Sequence, residues 1–484
     1  MNPMQRTPAK IVRLGALVTL LACMAAETQA QRGRARGRGQ PQAPATPPPA
    51  PEPKEPASVE RWTAIVGGEV HVGDGRVLRG GTVLIGDDKV HAVGHDLEIP
   101  AGATVLRADG KVVTPGYVAV RAQGIGLPAS VTGELKDAAN PFDPAIKRAL
   151  AAGITSYLYW SGSGQATPGG TTALVKLAWG DLAGMVRQGQ CAYSMRTPLS
   201  ATEWRRLREL VGQAKEHKAK TEAAAAAPSP APAATPGRGG GPPGERGRGA
   251  PGQRPSPSAP PAGTAELLRI MRGEARLWVN PSATPTDGGR GRGGGSDDRD
   301  GIRQALQIAE LLGVGIVLDD PVTAWCLADQ IAATGSLVVL NPRNTTPPDP
   351  TDPEQTGANI AAARILDEAG VPVAVTCPSG RFGGAQVGTG GIMGSDLNTP
   401  QVDAAFAVRG GMDPRRALRS LTLDAARAAG VERIVGSLEP GKDADVLILD
   451  GDPLSYRTFV ETALVNGKVV YEKDKEPYYQ HLNR

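Results

Sequence analysis

The sequence runs to 484 residues with a formal net charge of +4, 4% aromatic residues, 63 glycines and 43 prolines. That length accommodates one large domain plus a smaller one around a well-buried core. The small net charge excludes any need for an acidic partner, because much of the arginine is confined to glycine-rich tracts.

Residues 1–30 have the layout of a secretory signal. Lys10 and Arg13 form a basic start, residues 14–26 an apolar core, and Thr28-Gln29-Ala30 a small-residue cleavage site. The apolar run is short for a membrane helix, so no transmembrane span is expected after its removal. The expected location is therefore secreted, periplasmic or cell-envelope. Leu20-Leu21-Ala22-Cys23 offers an alternative, since it resembles the lipobox of bacterial lipoproteins and would leave a lipid anchor on Cys23. Residues 31–58 form a linker. RGRARGRG is a flexible basic tract and PQAPATPPPAPEPKEP an extended one. Arg-Gly repeats occur in RNA-binding tails. On an exported chain a solvated tether is the simpler reading, and no nucleic-acid partner is expected.

Folded structure is expected from about Arg61. Residues 62–66 and 69–72 read as short strands about a Gly67-Gly68 turn. Residues 81–86 and 89–93 form another pair about Asp87-Asp88. Together they predict a small antiparallel sheet. Residues 143–152 predict a helix stopped by Gly153, and residues 154–160 and 172–178 predict strands. Residues 202–225 predict a long charged helix. Short apolar strands follow at 276–279, 314–318, 337–340 and 371–376, with helical patterns at 301–312 and 359–369. This alternation predicts a parallel α/β barrel. Two inserts, 226–263 and 284–300, are too rich in Ala, Pro, Gly and Arg to build a core and are expected to be disordered loops.

Two stretches carry a family resemblance. Residues 110–123 read GKVVTPGYVAVRAQ, and the C-terminal part contains ALRSLTLDAARAAG as one helix, then GSLEPGKDADV, LDGDPL and VNGKVVY. These resemble the amidohydrolase superfamily, metal-dependent hydrolases of C–N bonds other than peptide bonds. Leu150 to Thr155 (LAAGIT), Gly169-Gly170 and Leu174-Val175-Lys176 are similar to its imidazolonepropionase-like branch. The resemblance implies a (β/α)8 TIM-like barrel over residues 114–430. It also implies a small β-sandwich domain composed of residues 59–113 and 431–475, with Asp445 opening the strand that carries 446–449.

In the family, the strand after the Pro-Gly opening ends in Asp-x-His-x-His, whose imidazoles bind metal. Here Ala119, Arg121 and Gln123 stand at those positions. The strand at 276–279 runs into Asn280, that at 314–318 into Asp319-Asp320, and that at 371–376 into Cys377. The five histidines are His71, His91, His95, His217 and His481, and none is expected at the end of a barrel strand. Family members use zinc or another divalent metal, and no metal or other cofactor is expected here. Lys176 stands where some relatives carry a carboxylated metal-bridging lysine, and a structural role is the better reading.

Asp319 and Asp320 remain candidates for oxygen ligation of a hard cation, or for a solvated helix cap before Pro321. Cys377 is a candidate nucleophile that lacks a nearby base. Arg121, Gln123, Asn280 and Arg381 are candidates to hold a ligand at the barrel mouth, the arginines by forked bonds to an anion or by salt bridges to Asp319 or Asp320. GTGGIMG at 388–394 reads as a loop over the last strand rather than a nucleotide fingerprint. Cys191, Cys326 and Cys377 match no zinc ribbon or disulfide framework; two could pair, or all could be unpaired thiols. The resulting expectation is an exported, non-catalytic relative of the amidohydrolases that binds a small molecule or pairs with itself or an intact relative. The alternatives are an active hydrolase with a rebuilt site and a cell-envelope scaffold.

Overall fold

The computed structural model describes residues 59–122, 124–128, 130–226, 259–282, 296–376 and 400–477. The signal, the linker at 31–58, and Gln123, Cys377, Arg381 and His481 lie outside these residues. No described helix is long and apolar enough to cross a membrane.

Strands β1 (Trp62–His71), β2 (Val77–Gly86) and β3 (Lys89–Gly94) form an antiparallel meander, with the second turn at Asp87-Asp88 as expected. The two strands expected within 62–72 are one. Gly67 and Gly68 make a bulge instead of a turn: Gly67 has φ +85°, and the register against β2 shifts on both sides of Gly68. That φ favours glycine, and a Cβ there would sit 2.5 Å from Asp109 Oδ1 and have to displace that carboxylate. β4 (Thr104–Arg107) and β5 (Val112–Pro115) then lie parallel to β1, so the sheet is mixed and not wholly antiparallel. The segment after β3 carries the chain back to the starting end, and β4 and then β5 follow β1 in succession, β4 beside residues 63–66 and β5 beside Glu69 and Val70.

The barrel follows. Its elements are β6 (Tyr117–Ala122), α1 (Pro144–Ala151), β7 (Ile154–Ser161), β8 (Thr171–Lys176), α2 (Leu182–Met185), β9 (Val186–Gly189) and β10 (Ala192–Arg196). Next come α3 (Ala201–Ala226), α4 (Ala265–Met271), β11 (Arg276–Asn280), α5 (Arg299–Leu312), β12 (Val317–Asp319), α6 (Ala328–Ala333) and β13 (Leu337–Leu340). The last are α7 (Ala362–Glu368), β14 (Val373–Val375), α8 (Pro400–Arg409), α9 (Pro414–Leu421) and α10 (Leu423–Ala429). The helix boundaries follow from local chemistry. The Asp143 carboxylate caps α1 by accepting from Ala145 N at 2.9 Å, with Pro144 in the first turn. The Asp413–Pro414 pair starts α9 in the same way. Gly313, at φ +72°, ends α5.

β6 pairs with β7, and β10 through β14 form a second ladder, all in parallel. Side-chain packing joins the two sets. Val118 and Val120 of β6, Leu158 of β7, Leu174 of β8, Ala192 of β10, Trp278 of β11, Val317 of β12, Val339 of β13 and Ala374 of β14 belong to one buried cluster. The alternate residues, such as Tyr157, Val175, Val279, Leu318, Val338 and Val373, pack with the surrounding helices. Eight strands that share one inner cluster while their other faces meet helices make a TIM-like barrel. It departs from the expected all-parallel pattern at β8, which runs antiparallel to β7. The Gly-rich link 162–170 turns the chain straight back, with no helix to carry it to the opposite end.

ALRSLTLDAARAAG was expected as one helix and forms two. The chain breaks at Thr422 (φ −118°, ψ −95°) so that α10 can enter the barrel floor. There Ala425, Ala426, Ala428 and Ala429 join the inner cluster, and the Trp278 indole donates to Ala428 O at 2.9 Å. Small side chains let this helix approach the strands closely. The insert expected at 284–300 also ends early, because Arg299 and Asp300 already belong to α5.

The chain closes with β15 (Val446–Leu449), β16 (Val460–Val465) and β17 (Lys468–Glu472). β15 pairs antiparallel with β5, giving one eight-stranded sheet in the order β17-β16-β15-β5-β1-β2-β3 with β4 beside β1. N- and C-terminal segments thus compose one small β domain, whose core includes Ile65, Val83, Val446 and Leu464.

Between this sheet and the barrel floor lies a buried charge network. Lys176 pairs in register with Ser156 near the start of β7, which places it at the floor, opposite the strand ends where the family binds metal. Its Nζ is 2.5 Å from Asp445 Oδ2 and 3.1 Å from Asp443 Oδ2, with no part of the lysine side chain exposed. Arg187 and Lys89 also reach Asp443, at 3.0 and 2.5 Å. Burial alone would raise the Asp443 carboxyl, but Lys176, Lys89 and Arg187 outweigh it and hold that group below its ordinary range. Asp445 is raised, because burial dominates and Lys176 is its one cation. The structural reading of Lys176 therefore holds. Lys176→Met should destabilise the protein by about 3–5 kcal/mol in urea unfolding, since it strands buried carboxylates. Lys176→Arg, which keeps the charge but not the volume, should lose less.

Candidate functional site at the barrel mouth

The carboxyl ends of the parallel strands define the mouth. By strand alternation, the layer above the apolar cluster is formed by Trp160 of β7, Ser194 of β10, Asn280 of β11, Asp319 of β12 and Thr376 just after β14. Trp160 packs edge-on against Trp278 with ring centroids 5.2 Å apart, and its indole donates to Val120 O at 3.3 Å. An aromatic pair therefore spans the barrel interior beneath the mouth. Trp160, Ser194 and Asn280 are half-buried, whereas Asp319 is 4% exposed.

Of the residues proposed from sequence, Asn280, Asp319 and Asp320 come together on the adjacent ends of β11 and β12. The Asn280 side chain accepts from Ser282 N at 3.0 Å, and its carbonyl accepts from Thr197 N at 2.9 Å. Much of its polarity is therefore spent on the turn that follows it. Arg121 lies within β6, but its side chain is outside the described part, as are Gln123, Cys377 and Arg381. Asp320 is not a helix cap. It adopts φ +50°, donates its N–H to Val339 O at 2.8 Å, and the next helical turn begins only at Ala324. The residue before a proline is disfavoured in the right-handed helical region, and aspartate tolerates the left-handed one.

Sequence reasoning missed two residues here. Trp160 was read only as part of a strand. Asp298 was assigned to a disordered insert, yet it is 5% exposed and holds the mouth together. Its carboxylate accepts from Ser282 Oγ at 2.7 Å, Val322 N at 2.8 Å, Thr323 N at 2.9 Å and Thr323 Oγ1 at 2.5 Å. It thereby ties the segment after β11 to the segment after β12. The available signal was a Ser-Asp-Asp run immediately before a helical pattern, which is an N-terminal capping signature.

A zinc centre of the family's type needs imidazoles at the strand ends. Asn280, Asp319, Ser194, Thr376 and Trp160 supply an amide, a carboxylate, hydroxyls and an indole. His71 and His91 lie on β1 and β3, and His217 lies on α3. Among the described residues no three His, Cys, Asp or Glu side chains converge. Among the described residues the donor set does not fit a zinc centre of that type. Cys191 is buried and Cys326 half-buried, both unpaired, and burial pushes each thiol up to about 11, so neither is an activated nucleophile. A cleft of about 640 Å³ lies elsewhere, beside the small sheet.

The amidohydrolase family model matches residues 338–473. An imidazolonepropionase of Geobacillus kaustophilus is 33% identical over 123 residues, covering 24% of this chain and 26% of that protein. One from Thermoplasma volcanium is 27% identical over 161 residues, covering 31% and 33%. Adenine deaminase 1 of Desulfotalea psychrophila is 35% identical over 75 residues, covering 15% and 12%. The chain thus spans a third or less of the length of these relatives. Among solved structures, an amidohydrolase from Thermotoga maritima has a TM-score of 0.58 at 22% identity, covering 85% of this chain and 100% of that one, which shows the shared fold.

Asp298→Ala leaves two buried backbone N–H groups without their acceptor. It should lower stability by about 2–4 kcal/mol in chemical denaturation, with Asp298→Asn recovering part of the loss.

Proposed function

We propose that this chain, a member of the amidohydrolase superfamily, descends from hydrolases of carbon–nitrogen bonds other than peptide bonds and now uses the barrel mouth to bind a small molecule without metal-assisted hydrolysis. The observation that carries the reading is the identity of the strand-end side chains. Where the family's chemistry requires imidazoles, this chain has Arg121, Gln123, Asn280 and Asp319, and Trp160 stands in the same layer as Asn280 and Asp319, its contact with Trp278 filling the space beneath. An indole, an amide and a buried carboxylate bind and orient a polar organic ligand. They do not generate a metal-bound hydroxide. The layout of residues 1–30 supports export, and self-association or pairing with an intact amidohydrolase is part of the same reading.

A second reading, a working hydrolase, is favoured by one feature. Asp319 and Asp320 are consecutive carboxylates at the mouth, and Asp320 is held in a left-handed conformation. Backbone strain of this kind gathers at functional sites, and two carboxylates are oxygen ligands for a hard cation.

The test is metal content of the purified exported chain after dialysis against zinc, manganese and iron, with hydrolysis assayed on cyclic amides, imides and aminopurines. The binding reading expects substoichiometric metal and no chelator-sensitive turnover. Stoichiometric metal, with turnover abolished by both chelator and Asp319→Asn, would overturn it in favour of the hydrolase.

A further inference from the structure

The cleft of about 640 Å³ beside the small sheet is independent of the barrel mouth and lies on a different part of the molecule. It opens between β1 and the start of β5 on one side, and the first turns of α9 and the 452–454 segment on the other. Val112, Leu418 and Leu454 give it an apolar floor, and buried Pro453 closes one wall. A cavity of this size with an apolar floor and a few polar groups at its rim has the usual dimensions of a small-molecule site.

The rim charges decide what would enter. Glu69 is already engaged by His71 at 3.1 Å and by Arg79 at 3.5 Å. Lys111 is in contact with Glu461. The Asp452 carboxylate accepts from Leu454 N at 2.9 Å. Arg415 differs from these. Its backbone N–H belongs to the cap of α9, donating to Asp413, but among the described residues its guanidinium has no ion-pair partner. Asp452 and Arg415 are the rim charges with no ion-pair partner among the described residues; Asp452 is held to its own turn by the Leu454 N–H, and Arg415 is the planar, forked cation next to the apolar floor.

We propose that this cleft binds a small organic anion, an apolar body bearing one carboxylate, with the carboxylate on the Arg415 guanidinium and the body against Val112, Leu418 and Leu454. Arginine matches a carboxylate by two parallel N–H donors, and the apolar body excludes water from that pair.

The probe is hexanoate, titrated calorimetrically into the intact purified protein, with hexylamine and hexanol as matched controls. Saturable hexanoate binding is expected, with hexylamine failing to bind and hexanol binding at least tenfold more weakly. Arg415 is exposed and, among the described residues, its side chain supports no other group, so Arg415→Gln should keep the fold by circular dichroism and weaken hexanoate at least tenfold. Asn280→Ala, at the mouth, should leave hexanoate binding unchanged. Absence of hexanoate binding, equal binding of hexylamine, or an unaltered affinity in Arg415→Gln overturns the assignment. Loss of binding in Asn280→Ala does so too, by moving the ligand to the mouth. None of these outcomes bears on the metal content of the barrel.

Discussion

The contact between Lys176 and the Asp443/Asp445 pair is the constraint on which the rest of the molecule depends. It joins the end of the reversed strand β8 to the lead-in of β15, residues more than 250 positions apart in the chain. Asp445 also accepts from Asn466 N at 3.1 Å, and its carbonyl accepts from Gly116 N at 3.0 Å. One short segment therefore fixes the floor of the barrel, the entry into β6 and the hairpin between β16 and β17. A buried ion pair is not in itself a large source of net stability, because its desolvation opposes its attraction. Its value here is geometric. The lysine can be satisfied only when the barrel floor and the C-terminal strands are both in place, and that requirement selects one docking of the two.

Much of this architecture was legible in the sequence. GKVVTPGYVAV and GKDADVLIL each carry a turn followed by an apolar run, and these are the strands that meet as β5, β6 and β15. The Asp143–Pro144 start is a local signal, and its helix begins where that signal places it, whereas the helix expected from Ala417 begins at Pro414, on an Asp413–Pro414 start of the same kind that the sequence reading passed over. What sequence did not give was long-range. The reversal of β8 depends on a glycine-rich link too short to house a helix, and the break at Thr422 depends on space within the barrel floor. The Gly67-Gly68 bulge is locally indistinguishable from a turn until its partner strand is known. The mouth was legible only by residue identity. The strand ends were named correctly for Asn280, Asp319 and Asp320. Trp160 and Asp298 were overlooked, because their roles arise from contacts to other strands and loops.

The inner cluster separates the side chains that hold the barrel to its helices from those that line its axis. Strand alternation assigns one set of side chains to the helices and the other to the axis. The helix-facing set of this chain is ordinary: Ile, Leu, Val and tyrosine against amphipathic helices. The axial set carries Trp278, packed on the alanine-rich α10, with Trp160 above it. Large aromatic surfaces at the axis supply apolar burial. The two faces of each strand are in this sense separately editable.

The eight-stranded sheet has a kinetic consequence. β5, from the first quarter of the chain, has β15 as its neighbour on one side, and β15 begins only at Val446. The N-terminal meander therefore exposes an unpaired edge and an uncovered apolar face until the last forty residues arrive. Contacts of such sequence separation make folding slow and leave the waiting edge open to wrong partners. A chain arranged this way completes its small domain last, and the interval before that closure is when it is most exposed to aggregation.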